Sequence, residues 1–359
     1  MIEYGVVLAG GFATRLRPLS YTKPKPLFPI LDKPVIDWVL ERVVEIAKPV
    51  VSVRYLSHAI RNYLGTRWGD AVKIVEEDRP LGDGGAVAHV VENLGINGPA
   101  LVAYGDVFTD ISTKSLWEFH KRSGAAVTIA LVRAPPEDVA RFGVAVVSDS
   151  GRIAQFVEKP KEHVGSNLVN AGFYVFEYDA LREFIKPNSG ELRIARDLIP
   201  RMMRKFDVYG YIHEGLWFDI GTHSDYLRAN FAALERFGAG VQSAGDAVVV
   251  QPAYVSKGVT IEPGSVIGPY AVVGGGSKIG PYARIRESVL MGGVIAGAGA
   301  YVRRSIIGDG VVLGRWARLV EAVVAEGVYI RDEVHVERGA MIGPNREVEG
   351  DVRNGEVLP

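Results

Sequence analysis

The sequence predicts a doubly wound, mixed but mostly parallel α/β sheet, followed by a parallel β-helix. Two observations predict it. Up to about residue 135, apolar strand-like runs alternate with helical patterns, the signature of βαβ units. Beyond a Gly-rich break, aliphatic residues recur every six positions with Gly, Pro and small residues between them.

In the first part the expected strands are Gly5–Ala9, Val50–Arg54, Val72–Val75, Ala100–Ala103 and Ala126–Val132. Between them lie helical patterns at Val35–Ala47, Ala59–Leu64, Gly84–Leu94 and Thr113–Arg122. A β-rich stretch follows. Gly143–Val147 and Arg152–Val157 flank Ser148-Asp149-Ser150-Gly151, a hairpin turn by composition. Val169–Phe176 reads as a strand, Ile194–Lys205 as a helix, Leu216–Ile220 as a short strand and Ser224–Phe237 as a helix. The expected domains are 1–237, a linker at 238–246, and 247–359.

In the last domain the six-residue phase runs through Val249, Val255, Ile261, Ile267, Val273, Ile279 and Ile285. It returns at Ile307, Leu313 and Leu319, and again at Ile330, Val336 and Ile342. Ordinary Gly-rich loops have no reason to keep such a phase. The breaks after Ile285 and after Leu319 are expected to be irregular coils or loops.

Composition narrows the function classes. With a net charge of −1, neither nucleic acid nor an anionic membrane is expected as the main partner. The absence of Cys excludes disulfides, thiolate catalysis and Cys-ligated zinc, and suits a cytoplasmic protein. No apolar run approaches the roughly 20 residues of a membrane span. The N-terminus enters a strand at once, so no signal peptide is expected.

The chemistry concentrates where strands end. Val6-Val7-Leu8 feeds into Ala9-Gly10-Gly11-Phe12-Ala13-Thr14-Arg15, and Pro24-Lys25-Pro26 follows. Glycines let backbone N–H groups approach a phosphate, and Arg15 and Lys25 supply cations to clamp its oxygens. The stretch lacks the Gly-Lys-Ser/Thr ending of a P-loop and the spacing of a dinucleotide fingerprint. In doubly wound sheets ligands bind at the carboxyl ends of strands. Gly82-Asp83-Gly84-Gly85 opens a helix, either as an anion site or as a plain turn and cap. Asp106 follows a buried strand, Glu158-Lys159 closes another, and Asp219 stands at a strand-to-helix corner. If Asp106 and Asp219 meet beside the glycine loop, they suit Mg²⁺, which typically takes one or two carboxylates plus phosphate oxygens. His58, His89, His120, His163, His213, His223 and His335 have no metal-ligand spacing.

Leu8–Arg17 with Pro24–Leu27, Leu81–Ala86, Gly105-Asp106, Glu158-Lys159-Pro160, Asn170-Ala171-Gly172 and Trp217–Thr222 resemble, in order, the sugar-phosphate nucleotidyltransferases. The branch most similar is the mannose-1-phosphate guanylyltransferases that end in a short left-handed β-helix. The resemblance implies transfer of a nucleotidyl group to a sugar 1-phosphate with release of pyrophosphate. It implies Arg15 on the leaving phosphates, Lys25 at the α-phosphate, and Asp106 and Asp219 on Mg²⁺. Leu8, Gly10, Gly11, Ala13, Thr14, Glu77 and Gly82 would contact the nucleotide. Gly143, Glu158, Lys159 and Asn170 would contact the sugar phosphate. GTP with mannose 1-phosphate is the favoured pair, and dTTP or UTP with glucose 1-phosphate the alternative. A non-catalytic nucleotide-sugar-binding regulatory subunit is the alternative of another class, disfavoured by the intact cations.

Two positions depart from the family pattern. Ala13 stands where glycine is usual, so a positive φ there carries strain of order 1 kcal/mol. Asp83 stands where Thr is common, and either pairs with guanine or caps the helix at Gly84. In the β-helix, His335 lies amid Glu333 and Glu337, which does not resemble an acyltransferase site. Exposed β-helix faces and ends favour a homo-oligomer assembled partly through residues beyond 245.

Overall fold

The computed structural model describes residues 2–185, 191–238 and 247–359, so the linker expected at 238–246 lies outside the described residues except for Gly238. The chain forms two compact units, Met1–Gly11 with Val35–Phe218 and Phe12–Pro34 with Asp219–Pro359.

The first unit is built on a nine-stranded mixed sheet. Tyr4–Ala9 lies parallel between Lys48–Val53 and Ala100–Tyr104, and Lys48–Val53 pairs in parallel with Lys73–Glu76. The chain order therefore reverses at Tyr4–Ala9, the switch point at which open α/β sheets bind ligands. Leu168–Phe176 runs antiparallel to Ala100–Tyr104, Val127–Arg133 and Gly143–Val147, and Ile153–Glu158 completes the Gly143–Val147 edge. Val208–His213, which has no clear apolar alternation, pairs in parallel with Val127–Arg133. Helices Val35–Val43, Ser57–Arg67, Gly82–Leu94 and Thr113–Ser123 connect the strands. Val6, Val50, Val87, Val102, Ile129 and Tyr174 belong to one buried cluster, which the apolar runs of these strands and helices build. The expected helix at Ile194–Lys205 is two short pieces, a wide π-turn over Ile194–Leu198 and an α-turn over Ile199–Met202. Pro200 lacks an N–H to continue the regular ladder.

In the second unit, three parallel sheets of six, seven and six strands form a coil consistent with a left-handed β-helix. Ile267, Ile285, Val302, Leu319 and Val336 stack inside one side, each at most 1% exposed. The irregular coils expected after Ile285 and Leu319 are absent. The strands continue through Leu290, Ala296 and Val302, and again through Val324. The phase slips because one corner is shorter. Gly268-Pro269-Tyr270 separates the strands Val266–Ile267 and Ala271–Val273, whereas Glu287 alone, at φ 51°, separates Arg284–Arg286 from Ser288–Leu290. Arg304 and Glu321 occupy equivalent left-handed corners at φ 49° and 51°. Glu287, Arg304, Glu321 and Arg338 form a ladder of ion pairs along that edge, so the residues that shorten the turn also pair between coils.

Candidate active site

Phe12–Pro34 is a chain of turns held by the helix His223–Phe237 and by the β-helix. Leu31 N–H donates to Asn230 Oδ1 at 2.9 Å, and Tyr226 donates from its hydroxyl to the Pro29 carbonyl at 2.6 Å. Phe28 meets Tyr226 edge-on, with centroids 5.5 Å apart. Asp32 accepts from Tyr254 and Ser256 at 2.6 and 3.0 Å, and Lys23 pairs with Asp309 at 2.6 Å. Thr222 caps the helix by accepting from Asp225 N–H. Burial pushes the pKa of the imidazole of His223, first in that helix, below its ordinary value.

This scaffold brings three of the expected residues together. Lys25, 7% exposed, donates to Asp219 Oδ1 at 2.6 Å. Gly221 sits between Asp219 and Arg15: a Cβ there would lie 2.8 Å from Arg15 Nη2 and 3.0 Å from Asp219 Oδ2. Glycine is thus the residue that lets the guanidinium and the carboxylate share this corner. Ala13 has φ 49° and ψ 43°, the left-handed conformation that costs an L-residue of order 1 kcal/mol. Its carbonyl is held by Leu16 N–H at 3.0 Å and by the Ser20 hydroxyl at 2.8 Å, which offsets that strain.

Thr14 opens the short turn Thr14–Leu16 beside Ala13, and the first unit carries the other positions. Glu77, 8% exposed, accepts from Ser52 at 2.8 Å, and burial raises its pKa above the ordinary carboxylate value. A Cβ on Gly10 would stand 2.9 Å from Glu77 Oε1, so the glycine beyond the first strand makes room for that carboxylate. Gly105 N–H donates to the Leu8 carbonyl at 2.9 Å, which sets Asp106 beside the exit of the first strand. Asp106 lies in a strand-to-strand turn, while the cap of the following helix is Ser112.

Glu158 ends its strand opposite Gly143, whose added Cβ would come within 2.9 Å of Glu158 Oε2. Lys159 leaves the strand with φ 48°, which brings its ammonium 3.7 Å from Glu158 Oε1. Burial raises the Glu158 pKa against the opposing pull of Lys159. Asn170 is buried and donates to Tyr174 at 2.6 Å.

The start of the helix Gly82–Leu94 departs from the anion-site reading. Gly84 and Gly85 donate their N–H groups to the Leu192 carbonyl at 2.9 and 3.1 Å. Gly82, at φ 72°, has no room for a Cβ, which would lie 2.4 Å from that oxygen. These glycines admit a neighbouring backbone. Asp83 bonds to Gly84 N–H but also accepts from Ile194 N–H and the Tyr104 hydroxyl, so its carboxylate is committed well beyond a cap. Nothing local in the sequence indicates that Leu192–Ile194 returns to this point.

Residues 4–236 match the Nucleotidyl transferase family, and residues 249–358 match the GMPPB C-terminal domain. The chain belongs to the nucleotidyl transferase family. It is 35% identical over 291 residues to a Sulfolobus acidocaldarius protein assigned as a mannose-1-phosphate guanyltransferase, covering 79% of this chain and 75% of that one. It is 30% identical to mannose-1-phosphate guanylyltransferase 1 of Arabidopsis thaliana, over 98% of this chain and 99% of the relative. A Bacillus anthracis structure assigned as a glucose-1-phosphate thymidylyltransferase, solved with sucrose, superposes with a TM-score of 0.58 at 24% identity. It covers 67% of this chain and 98% of its own, and shares the fold. Among the described residues no helix is long and apolar enough to cross a membrane.

Proposed function

We propose that this nucleotidyltransferase joins GTP and mannose 1-phosphate to form GDP-mannose and pyrophosphate. The observation that carries the reaction type is the pairing of buried Lys25 with half-buried Asp219, with Arg15 at the same glycine corner. The relatives named for mannose-1-phosphate guanylyl transfer support the choice of substrates.

A phosphate oxygen of the sugar 1-phosphate attacks the α-phosphorus in line. One P–O bond forms, the bond to the β-phosphate oxygen breaks, and pyrophosphate leaves with the electron pair. The work of the protein is alignment and charge neutralisation. Arg15 holds the leaving phosphates. Lys25 stabilises charge at the α-phosphate, and its bond to Asp219 fixes both side chains beforehand. Lys159 receives the sugar phosphate, while Glu158, Asn170 and the Gly143 backbone receive sugar hydroxyls. Leu8, Gly10, Gly11, Ala13, Thr14, Glu77 and Gly82 contact the nucleotide.

Asp106 and Asp219 would hold Mg²⁺. They are hard oxygen donors of the kind it prefers; Asp219 ends a strand and Asp106 lies in the turn that follows one. When bound, the ion neutralises phosphate charge. Among the described residues no cluster of three or more His, Cys, Asp or Glu forms a denser cage, and Mg²⁺ with phosphate needs none.

The base assignment rests on Glu77. Guanine presents two adjacent donors, N1–H and the 2-amino group, to which a carboxylate is complementary. Uracil and thymine place carbonyls on both sides of their single N–H, and a buried carboxylate repels those oxygens. We assign the protein to the cytoplasm and to a homo-oligomer formed partly through the β-helix. Tyr282 and Trp316, 67% and 59% exposed, lie on that surface. Asp219→Ala tests the assignment: GDP-mannose formation is lost while the circular dichroism spectrum is kept. Unchanged turnover contradicts it.

A further inference from the structure

The geometry points to Asp83 as a positioning residue for sugar recognition, acting through Tyr104 and Tyr174 on the amide of Asn170. This rests on the function proposed above. The strand Leu168–Phe176 changes register between Asn170 and Tyr174, with Gly172 at φ 77° in the bulge. The Tyr104 ring fills the space beside Gly172, where an added Cβ would lie 2.5 Å from Tyr104 Cδ2. Bulges re-aim side chains, and this one turns Asn170 back toward the two phenols.

The hydrogen bonds then run one way. Asn170 Nδ2 donates to Tyr174 at 2.6 Å, Tyr174 donates to the Tyr104 oxygen at 3.3 Å, and Tyr104 donates to Asp83 Oδ2 at 2.7 Å. Asp83 Oδ1 is held by Gly84 and Ile194 N–H groups at 2.9 and 2.7 Å. An ionised carboxylate only accepts, so it sets the direction of both hydroxyls. Tyr174 is left with a lone pair for Asn170, which must present its NH₂ group there and its carbonyl to Gly172 N–H, 3.1 Å away.

The amide is thereby fixed against flipping. Among the described residues one N–H and one carbonyl lone pair of Asn170 have no protein partner, and a sugar hydroxyl both donates and accepts. A preset amide matches one hydroxyl configuration and loses less freedom on binding than a rotating one. Asp83 therefore links the segment proposed to bind nucleotide to the residue proposed to read the sugar.

Tyr104→Phe and Tyr174→Phe each remove one oxygen from the relay. For each variant, kcat and KM are measured for the nucleotide, for the sugar 1-phosphate and for its monodeoxy analogues, with circular dichroism to verify the fold. The expected result is a rise of about tenfold in KM for the sugar 1-phosphate, with little change in nucleotide KM. Discrimination against one monodeoxy analogue should shrink by a similar factor. A wild-type sugar KM and unchanged discrimination in both variants overturn the relay, as does an equal rise in both KM values. Wild-type protein that turns over no sugar 1-phosphate fails the functional reading itself, and the relay with it.

Discussion

Lys25 Nζ lies 2.6 Å from Asp219 Oδ1, joining residues 194 positions apart in the sequence. The lysine is nearly buried, so its charge acts in a medium far less screening than water. Replacement by methionine keeps the stem and removes the charge. Lys25→Met should lower kcat by roughly 100- to 1000-fold, as for other preorganised charge-stabilising donors, with smaller changes in either KM. Steady-state kinetics check this, and a variant within threefold of wild-type kcat contradicts the role.

Ala13→Gly should relieve the left-handed strain. The gain is about 1 kcal/mol less the roughly 0.5–1 kcal/mol extra entropy of an unfolded glycine, so Tm should be unchanged or rise by about a degree. Thermal melts of both proteins check it, and a lower Tm in the variant contradicts it.

Glu77 couples stability to base choice. Burial raises its folded pKa, so folding favours the protonated form more than the unfolded chain does. Its favourable contribution is full below the unfolded value of about 4.3 and is lost as pH rises through the folded value. Glu77→Gln should therefore match or exceed wild-type Tm at pH 7, with any advantage shrinking toward pH 4. It should also lower kcat/KM for GTP by about 10- to 100-fold relative to UTP. Melts at two pH values and paired nucleotide kinetics test the two halves separately.

Asp32 ties the turn segment to the β-helix through Tyr254 and Ser256. Asp32→Ala should leave the β-helix core intact but loosen residues 12–34. The expected signs are faster hydrogen exchange there, unchanged exchange around Leu290, and kcat lower by several-fold. Equal protection of residues 12–34 in the two proteins contradicts the coupling.

Much of this was legible because local rules govern it. The run Val6-Val7-Leu8 and the glycines after it specify a strand that ends in a glycine turn, and the hexapeptide phase specifies the β-helix. What was not legible depends on contacts distant in sequence. Glu287 shortens a corner by adopting a left-handed conformation that its residue type does not advertise, so the six-residue phase slips there without any irregular coil. The glycines at 82, 84 and 85 read equally as an anion site or a plain turn, because Leu192, which occupies their N–H groups or the space beside them, is distant in sequence. Asp83 read as a base ligand or a cap because neither Tyr104 nor Ile194 is near it in sequence. Ala13 was legible as a departure, but its φ was not.

A turnover panel of the purified chain with Mg²⁺, across GTP, ATP, UTP and dTTP and the 1-phosphates of mannose, glucose and N-acetylglucosamine, tests the central claim most directly. The highest kcat/KM should belong to GTP with mannose 1-phosphate, with one pyrophosphate released per GDP-mannose formed. Preference for UTP or dTTP with glucose 1-phosphate, or no turnover with any pair, would contradict it.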